Sequence, residues 1–240
     1  MSVKPIPIKA ARRSDAEDSR RRILEAARAR FGARGSSEVT MAEVAEVAGV
    51  SRATVFNHFG SKHALVEAVT ETVFAGYESI LDRALADRDT PVPLLVRALF
   101  ELMGRGIEGD RAFYRIAFRE IARLNVGLEE GGVTQQARQR AVERLVHLLT
   151  RGQARGELRT AFDPQDLATA FDSLVFGTIT HWLYDDASRS LVLRMQAASE
   201  VFLGPVATAT ALSDAYAGPV PELWIEGDPG FGGPQGGSET

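Results

Sequence analysis

The chain has 240 residues, of which 45% are hydrophobic, and it carries 28 Lys and Arg against 32 Asp and Glu. These values are typical of one or two domains with a buried core. The chain contains no cysteine, which excludes disulfides, thiolate metal sites and cysteine nucleophiles. The N-terminus is polar and basic, without the apolar run of a signal peptide, so we expect a cytoplasmic protein.

The charge is unevenly distributed along the chain. Residues 1–63 hold 12 Lys and Arg against 7 Asp and Glu, whereas residues 64–240 hold 16 against 25. A basic N-terminal part favours contact with a polyanion such as DNA, although a basic arm is often only a solvated tail.

In chain order, residues 1–18 contain two prolines and many charges, which favours a disordered basic arm. The spacing of Ile23, Ala27 and Phe31 then predicts a helix that ends near the glycines at 32 and 35. Thr40, followed by Glu43, predicts a capped second helix. Ser51 is a good N-cap for a third helix, and Ser61 for a long fourth one.

The second and third helices, joined through Gly49, fit a helix-turn-helix spanning residues 19–66 together with the first helix. Val55 and Phe59 face inward at helical spacing. Side chains suited to a major groove then lie on the outer side of the third helix: Arg52, Ala53, Thr54, Phe56, Asn57 and His58. Thr40 and Lys62 stand at helix starts, where phosphates bind. An ordinary helical hairpin with a polar outer face is the alternative.

The stretch "TMAEVAEVAGVSRATVFNHFGSKHAL" and the preceding "RRILEAARARFGARGSSEVT" resemble the DNA-binding domain of the TetR family of bacterial transcriptional regulators. The resemblance covers residues 19–66, and the family usually has Tyr where this chain has Phe56. A weaker resemblance to the C-terminal domain of such regulators covers residues 151–171. The resemblance implies a homodimer with an N-terminal DNA-binding domain and a C-terminal effector domain. By motif position, it places the DNA contacts on Thr40, Arg52, Ala53, Thr54, Phe56, Asn57, His58 and Lys62.

Residues 67–212 are predicted to be helical throughout and to form a ligand-binding and dimerisation domain, so the fold class is all-α. The predicted helices beyond the fourth are Pro93–Arg105, Asp110–Leu124, Val133–Arg155, Pro164–Tyr184 and Arg189–Leu203. Residues 213–240 are rich in Gly and Pro, which favours a disordered tail. The most membrane-like stretch, residues 167–184, carries Asp172 and His181, so we expect a buried helix and no membrane span.

The helix Pro164–Tyr184 is apolar on two sides and must therefore be covered twice. This helix and the helix Arg189–Leu203, contributed by each of two subunits, would form a four-helix interface, as the resemblance also implies. The alternative is that both sides belong to a monomer core. The candidate interface residues are Ala170, Gly177, Thr180, Met195 and Phe202.

Aromatic residues concentrate in the segments around Tyr114 and Trp182 and could wall an apolar cavity. We expect Phe118, Phe171 and Trp182 to line it, with His147 or His181 as polar anchor. Taken singly, core packing explains each of these residues as well.

The sequence therefore predicts a transcriptional regulator, a repressor by resemblance, that binds a palindromic operator in double-stranded DNA as a dimer and is released by a small apolar effector. One alternative is a nucleoid-type DNA-binding protein without a ligand. A helical enzyme is the other, but no catalytic cluster, phosphate-binding glycine loop or zinc-spaced His pair is evident. No cofactor or metal is expected.

Overall fold

The structure is a computed structural model that describes residues 8–125, 133–185, 189–221 and 223. This part of the chain is folded into α-helices joined by short loops. The fold class is therefore all-α, as predicted. The helices are α1 Ile8–Arg34, α2 Met41–Ala48, α3 Arg52–Phe59, α4 Lys62–Ala86, α5 Val92–Glu108, α6 Arg111–Asn125, α7 Val133–Ala154, α8 Pro164–Tyr184, α9 Leu191–Val206 and α10 Ala209–Tyr216.

The chain divides into two compact units, Met1–Thr70 and Glu71–Thr240. Helix α4 begins in the first unit and ends in the second. Within the described residues there is no β-strand, only an isolated antiparallel bridge between Leu158 and Ala207.

The first unit is built by α1, α2 and α3, with α1 packed on α2 and in contact with α3. The apolar residues that recur at helical spacing on each helix face a common core, which explains why these short helices are stable together. The core residues are Ile23, Ala27, Phe31, Val44, Ala45, Ala48, Val55 and Phe59.

Helix α1 begins earlier than the sequence indicates. Residues 8–18, which we expected to be part of a disordered arm, form its first turns, whereas residues 1–7 lie outside the described part of the chain. Charged pairs one helical turn apart lie where this stretch joins the rest of α1: the Asp18 carboxylate binds the guanidinium groups of Arg21 at 2.5 Å and Arg22 at 3.3 Å. Residues that look like a solvated arm therefore extend the helix.

The second unit is organised around α5, which α6, α7, α9 and α10 contact. Leu95, Leu99 and Phe100 of α5 are completely buried. The backbones of α5 and α9 approach closely at Gly104, where an added Cβ would stand 3.1 Å from the Cα of Val192. Glycine at this position thus sets the separation of the two helices.

Helix α10 was not predicted, and it corrects the expectation that the chain is disordered from residue 213. Two alanines of α10, Ala211 and Ala215, are buried, and the Arg97 guanidinium donates to the carbonyl of Ala215 at 2.8 Å. The same guanidinium lies 4.9 Å from the ring centroid of Tyr216. Further on, Leu223 is 4% exposed. Anchoring by α5, rather than local sequence, therefore orders residues 213–216.

Among the helices of the described residues, none combines the length and the apolar character that a membrane span needs.

Gly49 is a position where the first unit requires glycine, because its φ is +63°. We expect Gly49→Ala to destabilise the unit by about 1–2 kcal/mol, since a side chain is strained in the left-handed region. Hydrogen exchange of the α2 and α3 amides measures this loss. The control is Gly204→Ala, inside helix α9, where an added Cβ meets nothing within 4 Å. Equal exchange in both variants would contradict the prediction.

Candidate nucleic-acid interface and ligand cavity

Helix α2 begins with a reciprocal cap. The Thr40 hydroxyl accepts a hydrogen bond from the Glu43 backbone N–H at 3.2 Å, and the Glu43 carboxylate accepts from the Thr40 backbone N–H at 2.7 Å. Arg34 adds an ion pair with Glu43 at 2.6 Å. These hydrogen bonds lower the pKa of Glu43 to about 2, with the Thr40 N–H as the largest cause. The start of α2 is therefore fixed by groups that are themselves well satisfied.

The turn between α2 and α3 is fixed by hydrogen bonds. The Gly49 N–H donates to the Glu46 carbonyl at 3.2 Å, and because Gly49 lies in the left-handed region, the Val50 N–H turns back and donates to the Ala45 carbonyl at 3.0 Å. Ser51 then caps α3 by accepting from the Thr54 N–H at 3.0 Å. The turn thus sets the angle at which α3 leaves α2.

Helix α3 is held from its inner side. Val55 is completely buried, and Phe59 is 9% exposed beneath the guanidinium of Arg20, 5.2 Å from the ring centroid. Arg22 of α1 donates to the carbonyl of Ala48 at the end of α2 at 3.1 Å. Sequence reasoning missed both arginines, which look like ordinary surface charges in the α1 sequence.

The outer side of α3 is open to solvent. Arg52, Ala53, Phe56 and Asn57 are exposed, whereas His58 and Thr54 are half-buried. The Arg52 guanidinium lies 5.4 Å from the ring centroid of Phe56, which is 38% exposed. This stacking holds a guanidinium, a group able to bond guanine, against an aromatic face before any ligand is bound.

Some predicted contact residues already have intramolecular partners. The Thr54 and Ser51 hydroxyls lie 2.8 Å apart in a hydrogen bond, and the Thr40 hydroxyl belongs to the α2 cap. Lys62, the first residue of α4, donates from Nζ to the Ser37 carbonyl at 2.9 Å. A DNA contact by Lys62 therefore requires its side chain to exchange this partner for a phosphate.

The second unit contains an apolar cavity lined by parts of α4, α5, α6, α7 and α8. Its volume is about 60 Å³, several times the ~10–15 Å³ that one water needs on the same measure. The lining residues are Val73, Phe74, Tyr77, Met103, Ile107, Phe118, Arg138, Ala141, Phe171, Asp172, Val175 and Phe176. The cavity lining is thus largely apolar, with aromatic and aliphatic side chains in equal number and polar groups at few points.

The structure places two of the five predicted ligand residues, Phe118 and Phe171, in the cavity wall. Trp182 is instead a core residue, 4% exposed, whose indole N–H donates to the Arg189 carbonyl at 3.1 Å. His147 and His181 are exposed and do not line the cavity, because each points away from the apolar side of its helix.

The polar groups of the cavity are ones that sequence reasoning missed. The Arg138 guanidinium donates to the Asp172 carboxylate across α7 and α8. Burial and the charge of Asp172 raise the pKa of the Tyr77 hydroxyl, which therefore stays protonated. Asp172 was visible in the sequence as the single acid in the apolar stretch of residues 167–184, and that was its signal. Arg138 lies among many polar residues, and nothing marked it.

The predicted interface residues separate into two groups. Ala170 is exposed, whereas Gly177 and Thr180 are half-buried and the Thr180 hydroxyl oxygen is itself buried. Met195 is completely buried beside Gly104, and Phe202 is 5% exposed against the rings of Phe100 and Phe171.

Met195 and Phe202 are therefore core residues, and their assignment to a dimer interface was wrong. The stripe that includes Met195 and Phe202 is the one that α9 turns toward α5. Apolar residues on the other side of α9 are exposed, with Leu193 at 52% and Val201 at 68%. No group of three or more His, Asp or Glu side chains within the described ranges is arranged to hold a metal ion.

A capped helix, a left-handed glycine turn and a second helix with exposed Arg, Asn and aromatic side chains together define a helix-turn-helix DNA-binding protein. Residues 23–69 match the model of the bacterial regulatory proteins of the tetR family. The HTH-type transcriptional regulator TtgR of Pseudomonas putida is 30% identical over 177 residues, covering 71% of this chain and 83% of TtgR.

Solved structures share the fold as well. SmeT, the repressor of the Stenotrophomonas maltophilia multidrug efflux pump SmeDEF, superimposes with a TM-score of 0.67 at 23% identity, covering 85% of this chain and 98% of SmeT. FadR of Thermus thermophilus, a repressor solved in complex with lauroyl-CoA, gives a TM-score of 0.59 at 24% identity, covering 78% of this chain and 94% of FadR. The chain belongs to the TetR family of bacterial transcriptional regulators.

The cap of α2 yields a pH prediction. Because the folded pKa of Glu43 lies below its usual value of 4.5, its contribution to stability is present above that value and is lost as the pH falls from 4.5 to about 2. An NMR titration of the Glu43 carboxyl measures the shift. Arg34→Met should leave the pKa of Glu43 low, since the Thr40 N–H is the larger cause. A return to 4.5 in that variant would assign the effect to Arg34 instead.

Proposed function

We propose that this TetR-family regulator is a repressor that binds a palindromic operator as a homodimer and is released by a small, largely apolar effector. DNA is bound by residues 19–66, and the effector and the second subunit by residues 67–212. The observation that carries the proposal is the outer face of α3, where Arg52, Phe56 and Asn57 are exposed on a helix whose other side is fixed in the core.

The side chains on this face match the chemistry of the major groove. Arg52 bonds O6 and N7 of a guanine together, Asn57 bonds N6 and N7 of an adenine, and the Phe56 ring contacts a thymine methyl. Phe56 lacks the hydroxyl that the family usually has there, so it serves Arg52 by stacking rather than by reaching a phosphate. Ala53, Thr54 and His58 complete the reading face.

Contacts at helix starts set the position on DNA. Thr40 and Lys62 stand where backbone N–H groups point outward and the helix dipole favours an anion. Since phosphates carry no sequence information, these residues contribute affinity rather than base preference.

The homodimer is proposed on the outer faces of α8 and α9. Helix α8 carries small side chains that allow a second helix to approach closely, at Ala170, Gly177 and Thr180. Helix α9 supplies exposed apolar side chains at Leu193 and Val201. An interface of this kind is isologous, so the two α3 helices are related by a two-fold axis and read two halves of a palindrome.

Release by an effector follows from linkage. A ligand that binds the DNA-free conformation better lowers the affinity for DNA, and DNA lowers the affinity for that ligand by the same factor. The cavity, with Phe118 and Phe171 in its wall, is the proposed effector site. FadR of Thermus thermophilus, of the same fold, is described with lauroyl-CoA.

Substitutions on α3 test the reading face. We expect Arg52→Ala and Asn57→Ala each to cost about 1–3 kcal/mol in binding to the preferred site, because each removes a bidentate base contact. Lys62→Ala is the matched phosphate variant and should weaken all sequences alike, with a flatter salt dependence. Binding titrations on specific and scrambled duplexes measure both. If Arg52→Ala left base preference unchanged, the orientation of α3 on DNA would be wrong.

A charge placed on α8 tests the homodimer. An added Cβ at Gly177 meets nothing within 4 Å, so the subunit accommodates Gly177→Arg, whereas a close interface does not. We expect monomers and loss of operator binding, measured by sedimentation at micromolar concentration. Gly218→Arg, at another open glycine outside α8 and α9, is the control and should stay dimeric. A wild-type protein that sediments as a monomer would contradict the proposal.

A further inference from the structure

We propose that the cavity of the second unit binds neutral, single-ring phenols, with the phenolic hydroxyl held at the Arg138–Asp172 ion pair and the ring among the aromatic walls. This inference rests on the proposed effector site and names the chemistry of its ligand.

The walls select an aromatic ring. The rings of Phe118 and Phe176 stack with centroids 5.4 Å apart and an interplanar angle of 20°, and Phe171 lines the same cavity. A planar ring gains offset-stacked and edge contacts from such walls, in addition to its burial. The cavity volume of about 60 Å³ is smaller than the ~150 Å³ of an apolar cavity that holds benzene, so the walls must move apart to admit even a single ring, and larger ligands are excluded.

One part of the cavity lining, here called the polar edge, carries one positive and one negative side chain, so its charges cancel. Among the described lining residues, the charged ones are Arg138 and Asp172, which form an ion pair and are 39% and 24% exposed. Tyr77 adds a hydroxyl that stays protonated, because burial and the charge of Asp172 disfavour its phenolate. The edge thus offers a carboxylate acceptor, a guanidinium donor and a neutral hydroxyl, with no net charge.

This balance discriminates among possible ligand head groups. A carboxylate ligand would face the like charge of Asp172, and an ammonium ligand would face that of Arg138. A neutral hydroxyl disturbs neither charge, because it donates to the Asp172 carboxylate and accepts from Arg138 or Tyr77. A phenol, with a pKa of about 10 like that of tyrosine, is neutral at pH 7.

Three probes that share one ring separate these possibilities: 4-ethylphenol, 4-ethylanisole and 4-ethylbenzoate. Isothermal titration of the full chain should show 4-ethylphenol binding about ten-fold more tightly than 4-ethylanisole, which cannot donate a hydrogen bond to the carboxylate. The benzoate should bind more weakly than the phenol. Equal affinity of the phenol and the anisole would overturn the proposal.

Asp172→Asn should reverse the preference. It removes the negative charge and leaves the edge with the positive charge of Arg138, so the benzoate should now bind more tightly than the phenol. Asp166→Asn, an exposed aspartate on the same helix, is the matched control and should change none of the three affinities. A phenol preference that survives Asp172→Asn would place the hydroxyl elsewhere.

Tyr77→Phe provides a second test, because it removes only the hydroxyl and keeps both the ring and the charge of the cavity. The affinities of the same probes are measured by isothermal titration. The substitution should weaken the phenol and the anisole alike by several-fold, because both carry an oxygen that accepts from the Tyr77 hydroxyl, and the preference for the phenol over the anisole should remain. Unchanged affinity of both ligands would overturn the role of the Tyr77 hydroxyl.

Operator release is measured separately. If 4-ethylphenol binds as predicted but leaves operator binding unchanged, the phenol site stands and the effector role fails. If operator binding is released by the benzoate while the phenol does not bind, the effector role stands and the phenol site fails.

Discussion

Burial of α5 is the constraint on which the second unit depends. Its residues face neighbours on nearly every side, and Leu95, Leu99 and Phe100 have no exposed surface. Helices that each have one apolar face must cover this helix, which explains why α6, α7, α9 and α10 all contact it. The close approach of α9 at Gly104 uses one end of α5, and Met103 and Ile107 contribute to the cavity wall. The same helix therefore contributes both to the close-packed core and to the wall of the cavity.

In the first unit, a short helix must be held rigidly while one of its sides stays exposed to solvent. An eight-residue helix such as α3 is unstable alone. Its inner side is fixed by Val55 and Phe59, its start by Ser51, and its direction by Gly49. The stacking of Arg52 on Phe56 extends this order to the exposed side. A guanidinium that is already oriented loses less entropy on binding DNA than a free one.

The sequence predicts what local periodicity and turn chemistry determine. The cap at Thr40, the turn at Gly49 and the helix Pro164–Tyr184 all follow from such patterns, and the structure has them. Side chains whose role depends on packing between helices could not be predicted. Met195 and Phe202 lie on an apolar stripe, but periodicity does not say whether a stripe faces the same chain or a second copy. His147 and His181 looked like anchors because their helices are apolar, yet both point to solvent. Arg138 and Tyr77 become cavity residues only through the way α4, α7 and α8 meet.

Helix α4 connects the two functions by covalent continuity. Its first residue, Lys62, belongs to the proposed phosphate contacts, and Val73, Phe74 and Tyr77 line the cavity. The stretch from Lys62 to Val73 spans about 16 Å of helix at the standard rise, roughly three turns. A helix does not bend freely over three turns, so a ligand that displaces Tyr77 or Phe74 must either tilt the start of α4 or break its hydrogen bonds. Tilting costs less, because it changes side-chain packing and keeps the backbone bonded. A dimer that reads two half-sites about one DNA turn apart tolerates little change in the spacing of its α3 helices. In the proposed dimer, we therefore expect a small displacement of the cavity wall to shift both α3 helices away from the spacing that the proposed operator requires.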